Sequence, residues 1–303
     1  MDKNSLLGKE PVYILIPVHN RRETTLECLK HLRQTGVSKK YHVVVIDDAS
    51  TDGTAEIIAE LYPDTLIVPG DGNLWWTGAI ALGMQYAAER KATHFIWLND
   101  DCVPVGDTLF RIVDYMYCHP NTIVAPTCYV ETPEGRLVKQ DNAFIGRRGF
   151  AASPGEILAA EGLSGWCVGI PAAVYQKIGV PDAKKFPHYS GDDTYIYRAT
   201  RAGFHACVVG DIEVRLLGIV HPKLAFQNHF DADFKPLSTF NSLFLSKRSP
   251  YLLTTKFHYF VERYGIPAGV FLFAIKFFSW LFKWLYLEVS INFNKHFISR
   301  FQS

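Results

Sequence analysis

His94-Phe95-Ile96-Trp97-Leu98-Asn99-Asp100-Asp101 is a short, mostly apolar run that ends abruptly in one amide and two acids. A run without polar alternation reads as a strand buried on both faces, as in a parallel sheet covered by helices. The pattern recurs upstream. Val12-Tyr13-Ile14-Leu15-Ile16-Pro17-Val18 ends in His19-Asn20, and Tyr41-His42-Val43-Val44-Val45-Ile46 ends in Asp47-Asp48. Leu66-Ile67-Val68 precedes Gly70-Asp71-Gly72-Asn73. Helical stretches lie between these runs. Thr24 to Gln34 carries Leu26, Leu29 and Leu32 at helical spacing, with Gly36 as a stop. Ser50-Thr51-Asp52-Gly53-Thr54 forms a turn and N-cap ahead of a helix over 55–62, and a third helix covers 77–90. Strict strand–helix alternation predicts a mostly parallel sheet with helices on both faces. Ligands of such sheets bind at the carboxyl ends of the strands, where these four polar clusters fall.

The 303 residues suffice for one large α/β domain with an appendage. With 31 basic and 30 acidic side chains, the net charge of +1 sets up no field for a polyanion. No basic stripe is present, so nucleic acid is not an expected partner. Six cysteines (Cys28, Cys102, Cys118, Cys128, Cys167, Cys207) show no paired spacing and read as reduced, mostly buried thiols. Residues 1–10 are polar and lack a secretory pattern, which points to a cytoplasmic protein.

From about 120 to 245 the pattern is less regular, with hairpin-like pieces around Pro133-Glu134-Gly135, a helix over 193–202 and a strand over 206–210. Residues 264–289 form a long apolar, aromatic tract interrupted by Lys276 and Lys283. Its charge-free runs are shorter than the ~20 residues a bilayer core needs. The tract is read as a helix in the membrane interface with its lysines toward the headgroups, or as one packed on the domain or a second subunit. The expected division is a domain over 1–245 and a helical segment over 246–303.

Adjacent carboxylates at a buried strand end are costly unless a positive charge joins them. A divalent Mg²⁺ or Mn²⁺ suits Asp100-Asp101, because such ions take one or two carboxylates plus substrate phosphate oxygens. Asp101 is the expected direct ligand, with Asp100 set for a ribose hydroxyl or a supporting contact. Asp48 at its strand end can accept from a base N–H or a ribose hydroxyl. Asp192-Asp193 opens the helix bearing Arg198 and Arg201, where a charged carboxylate is favoured and can serve as a base or as a plain helix cap. His221 can offer a ring nitrogen to the metal. Trp75-Trp76 reads either as a stacking surface for a sugar or base, or as core.

Taken in order, Ile16-Pro17-Val18-His19-Asn20, Val45 to Thr54, Gly72-Asn73-Leu74-Trp75-Trp76-Thr77-Gly78 and Trp97 to Asp101 resemble the inverting GT-A glycosyltransferases of family 2. Within it they are similar to the branch that includes bacterial rhamnosyltransferases. Leu163 to Ile170, Phe186 to Asp193 and Lys247-Arg248-Ser249-Pro250-Tyr251 resemble later segments of that branch, so the likeness runs over about 11–255. It implies an α/β GT-A fold: a mostly parallel central sheet flanked by helices, with a C-terminal helical extension. It implies that Pro17, His19, Asn20 and Asp48 line a nucleotide pocket and that Asn73, Trp75 and Gly78 lie by the donor, with Asp100 beside the metal ligand Asp101. Asp193 is then the general base with Asp192 next to it, and His221 a second metal-associated group. The implied reaction takes a sugar from a UDP- or dTDP-linked donor to a saccharide or lipid-linked acceptor in cell-surface polysaccharide assembly. Mn²⁺ or Mg²⁺ is the implied cofactor, with a membrane surface and a homo-oligomer as further associations.

Two positions depart from that pattern: Asp192 replaces a glutamate, and Tyr195 replaces the acid two residues beyond the base. These leave a catalytically silent nucleotide-sugar-binding homologue as one alternative. A nucleotidyltransferase is another, but residues 17–25 lack the glycine-rich loop it would need for a triphosphate.

Overall fold

Strand β1 (Val12–Val18) shows why the parallel reading works. Its side chains alternate between two cores: Val12, Ile14, Ile16 and Val18 enter one, and Tyr13 and Leu15 the other. Strand β2 (His42–Asp47) does the same, with Val43 and Val45 on one side and Val44 and Ile46 on the other. Period-two geometry applied to a continuous apolar run fills both faces of a sheet.

The computed structural model describes residues 8–132, 134–146, 148–217, 226, 230 and 236–301. Around β1 and β2 the first part contains α1 (Arg22–Gln34), a short α2 (Val37–Lys40), α3 (Thr54–Leu61), β3 (Leu66–Pro69), α4 (Trp75–Glu89) and β4 (His94–Leu98). Then follow β5 (Cys102–Pro104), α5 (Thr108–Cys118), β6 (Thr122–Glu131), β7 (Leu137–Gln140), β8 (Ala143–Ile145), β9 (Arg148–Phe150), β10 (Ile157–Ala159), β11 (Gly162–Leu163) and β12 (Cys167–Pro171). The chain closes with α6 (Ala172–Ile178), α7 (Gly191–Arg201), β13 (His205–Leu216), α8 (Pro236–Phe244), α9 (Leu253–Tyr264) and α10 (Ile266–Phe301).

The main sheet runs β10-β13-β6-β12-β4-β1-β2-β3, with β5 beside β13 and β7 beside β6. Its first half is parallel: β4, β1, β2 and β3 all point one way. Antiparallel β12 is inserted between β4 and β6, so the sheet is mixed. β11, β8 and β9 form a small second sheet. Strand β13 extends past the expected residue 210 because a register break between Val209 and Glu213 lets it go on pairing with β6 and turn onto β5. All six cysteines are free, and all but Cys118 are buried.

Contacts group the chain into two compact units: Met1–Pro187 with Gly191–Ile219, and His188–Ser190 with Val220–Ser303. The first holds both faces of the main sheet. In the second, Phe226, Leu243 and Phe244 form a small core. Trp280 meets Tyr251 edge-on at 5.7 Å, and Trp284 meets Phe240 at 5.3 Å. Helices α9 and α10 cross at Gly269, where a Cβ would come within 2.6 Å of the Phe260 carbonyl oxygen. The opposite side of α10 is bare: Phe271, Ile275, Phe278, Phe282, Leu285 and Val289 are all exposed. At 100° per residue these six fall on one stripe, with Lys276 and Lys283 turned about 120–140° away from it, toward the packed side, where Lys283 lies over the Phe226 ring. Ile266–Ser290 is long and apolar enough to cross a membrane, with a mean hydropathy of 1.6. The interfacial reading needed one apolar and one polar side. The helix is apolar nearly all round, one side packed and the other open.

Candidate active site

The carboxyl ends of β1, β2 and β4 lie together because the three strands are parallel neighbours. Three non-glycine residues adopt left-handed backbone there: Asn20 (φ 52°), Ala49 (φ 53°) and Trp75 (φ 56°). Such conformations cost free energy and persist where surrounding bonds fix them. The β1–α1 and β2–α3 loops clasp each other to do this. The Asn20 amide donates to Ser50 Oγ (2.9 Å), Asn20 Oδ1 accepts from the Thr51 amide (2.7 Å), and Asp52 Oδ2 accepts from the Arg22 amide (3.0 Å). His19 Nδ1 donates to the Asp48 carbonyl (2.6 Å), so its Nε2 accepts from Asn20 Nδ2 (3.2 Å). Pro17, in register with Ile46, completes this edge.

Asp48 is only 5% exposed. Its Oδ1 accepts from the amides of Gly72 (2.8 Å) and Leu74 (3.2 Å), and its Oδ2 from the amide of Trp75 (3.0 Å). A side chain at Gly70 would sit 2.7 Å from Asp48 Oδ1, so glycine is what lets this loop close on the carboxylate. The Asp48 carboxylate thus shapes the 70–75 loop and caps the start of α4. Asn73 is exposed in that loop, and its Oδ1 accepts from Trp75 Nε1 (3.3 Å). Gly78 is buried in the first turn of α4, where a Cβ would approach Leu74 Cβ to 3.2 Å.

The two tryptophans divide. Trp76 meets core Trp97 edge-on at 5.5 Å, and its Nε1 donates to Asn99 Oδ1 (2.8 Å). Trp75 is more peripheral and stays with the loop. Trp76 also fills the space over Gly165, whose added Cβ would overlap the indole and lie 3.0 Å from Asp192 Cβ. The Gly165 amide donates to Asp192 Oδ2 (2.7 Å). Asn99, Trp76, Gly165 and Asp192 therefore form one continuous wall between the acids after β4 and those opening α7. Burial pushes the Asp192 carboxyl above its ordinary range, against the pull of the amide hydrogens it accepts. Asp193 is partly buried beside Gly162.

A residue the sequence reading passed over joins the acid pair. Arg21 Nε lies 3.2 Å from Asp100 Oδ2, and its Nη2 lies 3.0 Å from Asp101 Oδ2. Asp100 is 3% exposed and also accepts from Thr25 Oγ (3.0 Å). Burial raises its pKa to about 6, with Arg21 opposing and Asp101 adding to the rise. Asp101 is more open, at 25% side-chain exposure. The signal for Arg21 was its place, directly after the polar end of β1 and on the same edge as the acids. Tyr195 lies away from the cleft: it is 1% exposed, packs against Trp97 and donates to the Gly179 carbonyl (2.9 Å).

Among the described residues no group of three His, Cys, Asp or Glu side chains gathers to hold a metal. His221 lies outside the described residues. A single reachable carboxylate, Asp101, fits a hard cation that completes its shell with phosphate oxygens. The Leu217 amide donates to the Asp101 carbonyl (2.7 Å), so the chain leaves β13 beside this residue.

Solved structures that share the fold include the following two. The structure of GalNAc-T7 with UDP, GalNAc and Mn²⁺ matches at TM-score 0.57 and 13% identity, over 85% of this chain and 51% of that one. The chain thus spans about half the length of that protein. The mannosyltransferase PcManGT from Pyrobaculum calidifontis, in complex with GDP-Man and Mn²⁺, matches at TM-score 0.54 and 14% identity, over 86% of this chain and 73% of that one. No curated protein matches the chain. The mixed, mostly parallel sheet with its flanking helices is the GT-A fold. The model of glycosyl transferase family 2 matches residues 13–174, from β1 through the first residues of α6 and more than half of the sequence. By fold and by sequence, the chain belongs to glycosyl transferase family 2.

Proposed function

We propose that this glycosyltransferase is a metal-dependent, inverting enzyme of the rhamnosyltransferase-like kind. It takes a sugar from a UDP- or dTDP-linked donor and gives it to a saccharide or lipid-linked acceptor in cell-surface polysaccharide assembly. The observation that carries this reading is the wall of Asn99, Trp76, Gly165 and Asp192, which ties the acids after β4 to those opening α7. In this reading one pair serves the donor's diphosphate and the other the acceptor. Both GalNAc-T7 and PcManGT were solved with Mn²⁺ and a nucleotide, which supports a nucleotide-linked donor and a divalent ion.

In this mechanism Asp193 takes the proton of the acceptor hydroxyl as its oxygen attacks the anomeric carbon. The bond from that carbon to the diphosphate breaks on the opposite face, so configuration inverts. Asp192, held by the Gly165 amide, fixes the start of α7 beside the base. Asp101, with His221, would hold Mn²⁺ or Mg²⁺, which supplies charge stabilisation to the leaving diphosphate. Pro17, His19 and Asn20 border the nucleotide, and Asn73, Trp75 and Gly78 the donor sugar.

Catalysis is assigned to residues 1–245, and 246–303 to attachment at the cytoplasmic face of the cell membrane. The bare stripe on α10 supports this, together with eight basic against two acidic side chains between 246 and 303. An apolar surface on a segment of net positive charge suits an anionic bilayer, and like charge disfavours a second copy on the same face.

The test is a panel of nucleotide sugars with Mn²⁺, scored for transfer and for the anomeric configuration of the product by NMR. Asp193→Asn is expected to bind donor normally and lose transfer by at least about 100-fold. Retained configuration, or transfer surviving in Asp193→Asn, refutes the mechanism. Failure of the full chain to sediment with anionic vesicles refutes the membrane assignment alone.

A further inference from the structure

The acid pair after β4 is already bridged by a cation that belongs to the chain. The Arg21 guanidinium spans two adjacent carboxylates, 3.2 Å from Asp100 and 3.0 Å from Asp101. Its main chain is fixed, because the Arg21 carbonyl accepts the Thr25 amide (2.9 Å) at the entry to α1. Its side chain is not enclosed, being 39% exposed. A guanidinium stays charged at any physiological pH, so it leaves the acids only by moving. A divalent ion approaching Asp101 therefore meets a resident positive charge on one of the two carboxylate oxygens, Oδ2.

We propose that Arg21 is a positioning residue that makes metal binding depend on the nucleotide. This rests on the reading of Asp101 as the metal ligand. Without donor, Arg21 occupies Asp101 and keeps the two carboxylates oriented, and the added divalent charge is poorly balanced. The diphosphate of an arriving donor supplies that balance and offers Arg21 phosphate oxygens, which its planar fork binds well. Arg21 then releases Asp101 as cation and diphosphate enter together. Asp100 stays behind, held by Thr25. The coupling is reciprocal, so the metal tightens nucleotide binding by the same factor.

The experiment titrates Mn²⁺ into the full chain, with free Mn²⁺ read by electron paramagnetic resonance, in the absence and presence of UDP. Wild type is expected to bind Mn²⁺ alone weakly, and UDP to tighten it by about tenfold or more. Arg21→Gln should bind Mn²⁺ alone about fivefold more tightly or better, and the effect of UDP should shrink correspondingly. Arg21→Lys keeps the charge but cannot span both carboxylates, and should fall between the two. A purely structural ion pair would leave the UDP coupling unchanged in both variants, and that result overturns the inference while leaving the metal reading intact. Absence of Mn²⁺ binding by wild type with UDP present, equal to that of Asp101→Ala, overturns the metal reading and this inference with it.

Discussion

Asp48→Asn separates two roles for one carboxylate. The side chain keeps its shape and loses its charge and one acceptor oxygen. In the native chain Oδ1 takes two amides, from Gly72 and Leu74, and Oδ2 takes a third, from Trp75. The best orientation of asparagine turns its oxygen to the first two and its NH₂ toward the Trp75 amide, setting donor against donor. Hydrogen bonds to a charged group are worth about 1.5–3 kcal/mol and neutral ones about 0.5–1.5, so the two kept bonds weaken by roughly 1 kcal/mol each. The buried mismatch at Trp75 adds about 1–3 kcal/mol. The total is about 4 kcal/mol, or a fall in Tm of roughly 8–16 °C for a unit of this size. Urea unfolding followed by tryptophan fluorescence gives the free energy, and UDP binding gives the competing readout. A variant as stable as wild type to within about 0.5 kcal/mol, but impaired in UDP binding, would show that the carboxylate serves the nucleotide and not the loop.

Gly165→Ala should cost about 1–3 kcal/mol and alter the near-ultraviolet signal of Trp76, since the new methyl overlaps the indole that Asn99 and Trp97 hold in place. An unchanged spectrum and stability would mean that the wall is looser than drawn. Tyr195→Phe removes the hydrogen bond to the Gly179 carbonyl and should lose about 1 kcal/mol with kcat unchanged; a tenfold drop in kcat would place Tyr195 in the reaction after all. For Asp100, the folded pKa of about 6 lies above its ordinary 3.8, so the folded state holds the proton more tightly. Its contribution favours folding at acid pH and is lost as pH rises from about 4 through 6. In metal-free buffer, Asp100→Asn should therefore gain about 2 kcal/mol on wild type between pH 4 and 7.5. A difference between the two proteins that stays flat across that range contradicts the assignment.

The strands of the parallel half were legible because they are buried on both faces, which leaves continuous apolar runs such as 12–18 and 94–98. The three residues of β5 were not, since Cys102–Pro104 is too short to show a period and exists through its pairing with β13. The end of β13 was hidden for a related reason: Asp211, Glu213 and Arg215 alternate with Ile212 and Val214, and the bulge breaks the pattern. The acids were found because polar groups at buried strand ends stand out against their background. The nucleotidyltransferase alternative gave way to the family match over 13–174.

By itself the sequence determined the layered sheet and the strand ends at which polar groups collect, with the acids after β4 and at the start of α7. These follow from local pattern: apolar periodicity, turn residues and charged groups where a buried run stops. Only the tertiary structure decided what each of those groups touches. Asp48 meets backbone amides 24 to 27 residues away, and Arg21 meets Asp101 across 80. Tyr195, in the place of an acid, turns into the core. Hydrogen bonds and ion pairs form between groups within about 3 Å in space, and separation along the chain does not encode which groups those are until the sheet has brought its strand ends together.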